Sequence, residues 1–278
     1  MRATRRITIM LLVAALAACA SPSTRVHELA TLGGFQRSEI AGKDFVHVAY
    51  YRVVTGQAAR IHVYVEHDGL PWATATRMSA DPTPRDPLVL RLALQDPASV
   101  IYLGRPCYFG MARSPPCTPL IWTHQRYSER VIDSMAAALQ TILGESQSEL
   151  VFLGHSGGGT LAWLLARRFP NTRAVVTVAG NLDVQAWAAL HGYTPLLDSL
   201  SPAKGPNLPP QVLQMHYVGS HDTVVPSALV QDFVSQRPGG VFIEYPGFDH
   251  RCCWERVWPA VLNDIELRLT KSPLPKAL

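Results

Sequence analysis

The fold of this chain is decided by residues 150–165, which read LVFLGHSGGGTLAWLL. The first four residues form a continuous apolar run, as expected for a strand buried on both faces. The segment from Leu161 onward is predicted to form a helix. Between them, the stretch Gly154-His155-Ser156-Gly157-Gly158 fits the pattern G-x-S-x-G. In that pattern a sharp strand-to-helix turn exposes the serine, and the glycines remove side chains that would collide. Ser156 is therefore the candidate nucleophile.

Segments with strand-like and helix-like patterns alternate on both sides of this turn. The predicted strands are residues 45–53, 60–66, 99–103, 150–153, 174–178, 212–218 and 241–245. The predicted helices are residues 88–94, 127–143, 161–169, 227–236 and 254–269. Residues 68–87 and 181–210 are rich in proline and predicted to be irregular. This alternation predicts an α/β fold with a mostly parallel central sheet and helices on both faces.

The composition is that of a globular protein with one large core. The chain has 278 residues, of which 47% are apolar and 17% charged. This apolar content excludes a disordered chain. One domain, residues 34–278, accounts for the whole alternating pattern.

The N-terminus has the features of a bacterial export signal. Arg2, Arg5 and Arg6 precede an apolar stretch, residues 7–18. Twelve helical residues span about 18 Å, well short of the ~30 Å hydrocarbon core, so a signal peptide is favoured over a membrane-spanning helix. The stretch ends at Leu16-Ala17-Ala18-Cys19, which resembles the lipobox of bacterial lipoproteins. We therefore predict a signal peptide over residues 1–18, acylation of Cys19, a lipidated tether over residues 19–33 and a location in the bacterial cell envelope.

Removal of this signal changes the charge balance. Without the three arginines of residues 1–18, the 25 basic residues fall to 22, against 21 acidic residues. The charge therefore gives no support to a nucleic-acid partner. The expected partners are a small acyl substrate and, through the lipid anchor, a membrane.

Two further residues follow predicted strands late in the chain, where ligands gather in open parallel sheets. Asp222 lies in GSHDTVVP, residues 219–226, and His250 ends GFDH, residues 247–250. Asp183, which follows the preceding strand, is the alternative acid.

The three segments together resemble the α/β-hydrolases of the esterase and lipase kind, over residues 35–270. In that family a G-x-x-D-x-x-V-P stretch carries the triad acid and a late G-x-x-H the base. The resemblance implies a catalytic triad of Ser156, Asp222 and His250, and it makes residues 181–210 a small cap.

The same resemblance bears on the oxyanion hole, which needs a second backbone amide from the loop after the third strand. Asp68-Gly69-Leu70-Pro71 fits the order of elements, and Leu103-Gly104-Arg105-Pro106 is the competing loop. We therefore expect the donors to be the amides of Leu70 and Gly157, with Arg105 as the alternative to Leu70.

Export also makes disulfides possible. Beyond Cys19 the chain has Cys107, Cys117, Cys252 and Cys253, and three pairings are open from the sequence. No histidine stands at zinc-ligand spacing beside either pair, which disfavours a metal site. The strand order that the resemblance implies separates the two pairs and favours Cys107–Cys117 and Cys252–Cys253.

These observations predict a serine hydrolase that cleaves a carboxylic ester or thioester through an acyl-serine, with no cofactor and no metal. An acyltransferase or peptidase using the same triad is an alternative, as is an inactive membrane-tethered binding protein. Apolar residues in the cap, Trp187, Leu190, Tyr193, Leu196 and Leu197, either wall an acyl pocket or belong to the core of a short helix.

Overall fold

The computed structural model of the chain describes residues 21–53 and 60–271. The predicted signal peptide and Cys19 lie outside these residues. The predicted tether over residues 19–33 is wrong for most of its length, because Pro22–Leu32 forms helix α1. Ser21 caps this helix by accepting a hydrogen bond from the Thr24 amide, and Val26 and Ala30 are completely buried. The folded domain therefore begins before residue 34.

The centre of the molecule is an eight-stranded sheet with the order β1-β2-β6-β3-β7-β8-β9-β10. Strand β2 is antiparallel to β1 and β6, and the remaining neighbours are parallel. The bounds are Gln36–Ala41 (β1), Val46–Arg52 (β2), Arg60–Val65 (β3), Ser99–Leu103 (β6), Glu149–His155 (β7), Thr172–Val178 (β8), Leu213–Gly219 (β9) and Gly240–Tyr245 (β10). The predicted, mostly parallel sheet is confirmed.

Helices cover both faces of this sheet, and their apolar residues complete one core. After α1 they are Leu88–Leu94 (α2), Pro119–Trp122 (α3), Glu129–Leu143 (α4), Gly157–Ala166 (α5), Val184–Leu190 (α6), Ser227–Ser235 (α7) and Trp254–Lys271 (α8). All ten residues of α5 are buried. The turn at Ser156 is therefore held between β7, which is buried in all but its first residue, and the fully buried α5.

Several elements differ from the sequence prediction, among them β1 and α3, which were not predicted. Helix α5 begins at Gly157 instead of Leu161. Its first three residues are glycines, which are helical here in spite of the low helix propensity of glycine. The segment 68–87 contains a small hairpin, Trp72–Thr74 (β4) with Arg77–Met78 (β5). The segment 181–210 contains α6. In the described part of the chain, no helix has the length and apolar character needed to cross a membrane.

Candidate functional site

Ser156 lies at the turn between β7 and α5 in a strained backbone conformation. Its φ is 54° and its ψ −124°, a region that L-residues avoid. The turn is held by hydrogen bonds from the Ser156 amide to the Val178 carbonyl, 3.0 Å, and from the Asn181 amide to the Ser156 carbonyl, 3.1 Å. A Cβ atom at Gly154 would collide with the Gly158 carbonyl. The G-x-S-x-G spacing is therefore a steric requirement of this turn.

Asp222 lies in the loop after β9 and is held by backbone amides. Its Oδ1 atom accepts hydrogen bonds from the amides of Val224 and Val225, each at 2.8 Å. The side chain is fully buried, at 0% exposure. Its second oxygen, Oδ2, lies 2.8 Å from Nδ1 of His250. One carboxylate thus holds both its own loop and the imidazole ring.

The loops that carry Asp222 and His250 pack directly against each other. The amide of His221 donates to the carbonyl of Phe248, 2.8 Å away, and a Cβ atom at Gly219 would collide with that same carbonyl. These contacts join the two loops, which holds the imidazole in place relative to the carboxylate.

His155, the residue before the nucleophile, supports the other side of His250. Its Nε2 atom lies 2.7 Å from the His250 carbonyl oxygen, and the two rings lie 4.7 Å apart between centroids. Burial, assisted by the neighbouring His250 and His67, lowers the pKa of His155 far below the ordinary value. The neutral ring therefore donates its Nε2 proton to the backbone of His250.

Ser156 and His250 line the same cavity, of about 1050 Å³. No hydrogen bond joins their side chains in the described part of the chain. The cavity lies between the hairpin β4–β5 and the cap, and its aromatic walls are Trp72, Trp187 and Tyr193. Leu196 also lines it, whereas Leu190 and Leu197 are exposed, at 56% and 65%. The cap residues thus divide between a cavity wall and an outer surface.

The expected second oxyanion donor, the amide of Leu70, is committed elsewhere. It donates to the Pro82 carbonyl at 2.9 Å, so it is not available to a substrate and this prediction is wrong. The amide of His67 donates to Glu66 Oε1 and that of Gly69 to His67 Nδ1. Pro71 has no amide hydrogen. The amide of Asp68 is the one that remains in this loop.

Asp68 also stands in the right place for this role. It follows β3 and lines the cavity with Ser156. A Cβ atom at Gly157 would collide with the Asp68 carboxylate and with the Tyr127 hydroxyl. Gly157 and Asp68 are therefore in direct contact, and glycine at position 157 is required by this approach.

A cluster that the sequence analysis missed holds Asp68 in place; we call it the Asp68 clamp. Arg105 Nη1 and Arg126 Nη1 donate to the Asp68 carboxylate at 2.6 and 2.8 Å, and Tyr127 donates at 2.7 Å. The hydroxyl of Tyr108 donates to the Asp68 carbonyl, 2.8 Å away. Arg105, the alternative oxyanion residue, thus acts through its side chain. No local pattern marks Arg126, since it contacts Asp68 across 58 positions of sequence.

The clamp also determines the charge beside Ser156. Burial by itself would raise the pKa of Asp68, but the guanidinium groups of Arg105 and Arg126 outweigh it and hold the pKa far below the usual range. Two cations against one carboxylate leave a net charge of +1 on this buried cluster. The carboxylate therefore does not oppose negative charge that develops near Gly157.

Asp183, the alternative acid, has a different task. Its Oδ1 atom accepts a hydrogen bond from the Ala186 amide at 3.0 Å and caps helix α6. The structure brings Asp222, and not Asp183, to His250.

The cysteines pair as the resemblance implied. Cys107 and Cys117 are joined, with Cα atoms 5.6 Å apart, and Cys252 and Cys253 are joined as adjacent residues. Cys252 lies two residues beyond His250, so the second pair adjoins the imidazole loop. Within residues 21–53 and 60–271, no group of three potential metal ligands comes together.

Comparison with solved structures shows which fold this is. A bacterial membrane phospholipase A is 13% identical, with a TM-score of 0.58, and the match covers 99% of each chain. A putative lipase of Acinetobacter baumannii is 14% identical, with a TM-score of 0.58, over 91% of this chain and 98% of the other. An α/β serine hydrolase without a lid from Xanthomonas campestris is 12% identical, with a TM-score of 0.55, over 87% and 97%.

No protein-family model and no curated protein matches the sequence. At these identities the structural likeness establishes the fold alone. The chain has the α/β-hydrolase fold.

Proposed function

From the α/β-hydrolase fold, we propose that this protein is a serine hydrolase that cleaves carboxylic esters or thioesters. The observation that carries the proposal is that His250, paired with the buried Asp222, lines the same cavity as Ser156. Each of the three follows a different strand at one edge of the sheet, where ligands bind in open α/β folds.

In the proposed mechanism Ser156 Oγ attacks the acyl carbonyl carbon while His250 Nε2 takes the hydroxyl proton. Asp222 accepts the hydrogen bond of Nδ1, which holds the reactive tautomer and stabilises the imidazolium. The hydrogen bond between Ser156 and His250 forms as substrate enters, since catalytic hydrogen bonds tighten in the bound complex. His250 then protonates the departing alkoxide or thiolate. A water molecule, deprotonated by His250, releases the acid from the acyl-serine.

Two backbone amides are proposed to bind the oxyanion of the tetrahedral intermediates. Gly157 is the first residue of α5, and its amide has no partner within the helix. The Asp68 amide is the second donor, because the neighbouring amides of its loop are engaged. Each such donor contributes about 3–4 kcal/mol to the transition state. The positive charge of the Asp68 clamp acts in the same direction.

The cavity has room for the acyl part of an ester or thioester substrate. Its volume of about 1050 Å³ is at the upper end of ligand sites, and Trp72, Trp187 and Tyr193 are among the residues that line it. The reaction uses no cofactor. Acyl transfer or peptide cleavage would use the same three residues, and product analysis separates these from ester hydrolysis.

The experiment compares the wild type with Ser156→Ala on p-nitrophenyl esters of graded chain length. The wild type should hydrolyse them and react with a fluorophosphonate probe, and Ser156→Ala should do neither. Equal labelling and equal hydrolysis by both proteins would remove Ser156 from the mechanism. A wild type that binds acyl ligands and turns over none of these esters would favour the inactive binding protein.

We also propose that the protein is acylated on Cys19 and held at a bacterial envelope membrane. The lipobox-like end of the apolar N-terminal stretch supports this. Cys19→Ser should move the protein from the membrane fraction to the soluble fraction. Unchanged membrane retention would contradict the proposal.

A further inference from the structure

The first helix begins at the edge of the molecule where the cavity opens. Ser23, in the first turn of α1, has its hydroxyl 3.4 Å from Thr83 Oγ1 and 3.5 Å from Asp81 Oδ2. The neighbouring Pro82 carbonyl accepts the amide of Leu70, in the loop that supplies Asp68 to the cavity. The start of α1 is therefore two hydrogen-bonded contacts away from the cavity wall.

The helix then runs to the opposite edge of the sheet. Gly33, which ends α1, packs against Leu94, the last residue of α2. Helix α2 begins at the cavity edge, since the amides of Val89 and Leu90 donate to Glu66, directly after β3. Leu94 is therefore at the far edge, and of the two ends of α1 only the N-terminal end lies beside the cavity.

This placement limits where a lipid on Cys19 can lie. Cys19 precedes Ser21 by two residues, and an extended chain spans at most about 3.6 Å per residue. The covalent chain therefore limits the Cys19 sulfur to within roughly 10 Å of the start of α1, once the side chain of Cys19 is included. If Cys19 carries a lipid, that lipid would enter the bilayer on the cavity side of the molecule.

The same side carries a group of exposed apolar side chains, which we call the mouth cluster. Its members are Leu190, Tyr193, Leu197 and Val224, with exposures of 56%, 53%, 65% and 41%. The indole of Trp187, in α6, donates to the Val224 carbonyl at 2.8 Å and so joins the cap to the loop after β9. Tyr193 and Val224 line the cavity itself. Exposed apolar residues that are grouped around a cavity mouth mark an interaction surface.

We propose that the mouth cluster docks on the surface of the bilayer to which Cys19 is tethered, and that the substrate is the acyl ester of a membrane lipid, which enters the cavity from that surface. The inference rests on the proposed hydrolase function and on acylation of Cys19. Exposed arginines at the same edge, Arg77 on the hairpin and Arg251 beside His250, suit an anionic lipid surface.

The test uses the whole chain, processed and acylated by the expressing bacterium, in vesicles of phosphatidylethanolamine and phosphatidylglycerol. Two activities are measured on each variant: hydrolysis of soluble p-nitrophenyl butyrate and release of fatty acid from the vesicles. The mouth variant is Leu190→Ser with Leu197→Ser, which leaves the residues lining the cavity intact. The matched control is Leu32→Ser with Leu267→Ser, two leucines exposed at 87% and 50% on other helices.

The mouth variant should keep soluble-ester hydrolysis within about twofold and lose fatty-acid release by about tenfold or more, because two leucines no longer enter the interface. The control should keep both activities. Amide hydrogen exchange over residues 187–197 should slow on reconstitution of the wild type and less in the mouth variant. Equal fatty-acid release by the two double variants would overturn the docking surface, and a wild type active on the soluble ester alone would overturn the lipid substrate. Equal activity of wild type and Ser156→Ala on the soluble ester would instead contradict the proposed hydrolase function.

Discussion

The Nε2 atom of His155 lies 2.7 Å from the backbone carbonyl oxygen of His250, so the variable residue of G-x-S-x-G supports the loop of the proposed base. This contact links the turn of the nucleophile to the loop of the imidazole. Burial keeps the His155 ring, which makes this contact, in its neutral state. The distance between Ser156 and His250 therefore depends on a donor adjacent to Ser156 in sequence.

We predict that His155→Phe lowers kcat by about 100-fold, because displacement of a reacting group by about 1 Å costs that much. His155→Gln should restore most of the rate, since its side-chain amide reaches a similar position and can donate to the same carbonyl. The pH at which kcat/KM rises should be the same in all three proteins, because His155 does not titrate in the working range. Wild-type kcat in His155→Phe, which keeps a ring at this position and lacks the donor, would show that ring packing matters and the hydrogen bond does not.

Asp222→Asn should lower kcat by about 10³–10⁴-fold while the fold persists, because an amide at this position favours the wrong tautomer of His250. The matched control is Asp183→Asn, which keeps a side-chain oxygen able to cap α6 and should leave both stability and rate nearly unchanged. Steady-state kinetics and thermal unfolding measure the two effects. A large loss of rate in Asp183→Asn together with an active Asp222→Asn would reverse the assignment of the acid.

The Asp68 clamp should contribute to both stability and rate. Asp68→Asn leaves the buried Arg105 and Arg126 without a counter-charge, so the free energy of unfolding should fall by about 3 kcal/mol. Urea unfolding measures this loss. Glu39→Gln, which breaks the exposed pair with Arg37, is the control and should cost less than about 1 kcal/mol.

In the same Asp68→Asn protein kcat should fall while KM changes little, because the proposed oxyanion amide loses its fixed position. Full retention of kcat in a stably folded variant would separate the clamp from the reaction.

A second buried cluster makes the stability of the protein depend on pH. His62 Nδ1 lies 2.6 Å from Asp96 Oδ2 and its Nε2 3.4 Å from Glu266 Oε1. Burial alone would lower the pKa of His62, but Asp96 and Glu266 outweigh it and raise the pKa to about 9. The unfolded chain releases this proton near the ordinary pKa of about 6.5.

The contribution of His62 is therefore complete below pH ~6.5 and lost as the pH rises through about 9. The free energy of unfolding should fall over this range by up to about 3 kcal/mol in the wild type. In His62→Gln the fall should be much smaller. Urea unfolding across this range measures both curves, and parallel curves would contradict the role of His62.

Several features of the fold could be predicted because they depend on neighbours in the chain. The bounds of α2 and β6 agree with the sequence, since short apolar runs between proline and polar residues define them. Helix α1 could not be predicted in this way. Its mean hydropathy is low and few of its residues are buried, and only contact with β1 and α2 shows that it belongs to the domain.

The turn at Ser156 could be predicted from the sequence, because an apolar strand, two spaced glycines and a helix start are local properties of residues 150–165. The sequence also determined the order of Ser156, Asp222 and His250. The tertiary structure alone decided that the Leu70 amide is engaged by Pro82, that Arg126 holds Asp68, and that α1 begins beside the cavity. These contacts join loops that follow different strands. Their partners depend on how the loops meet in space, and no residue spacing within a single segment predicts them.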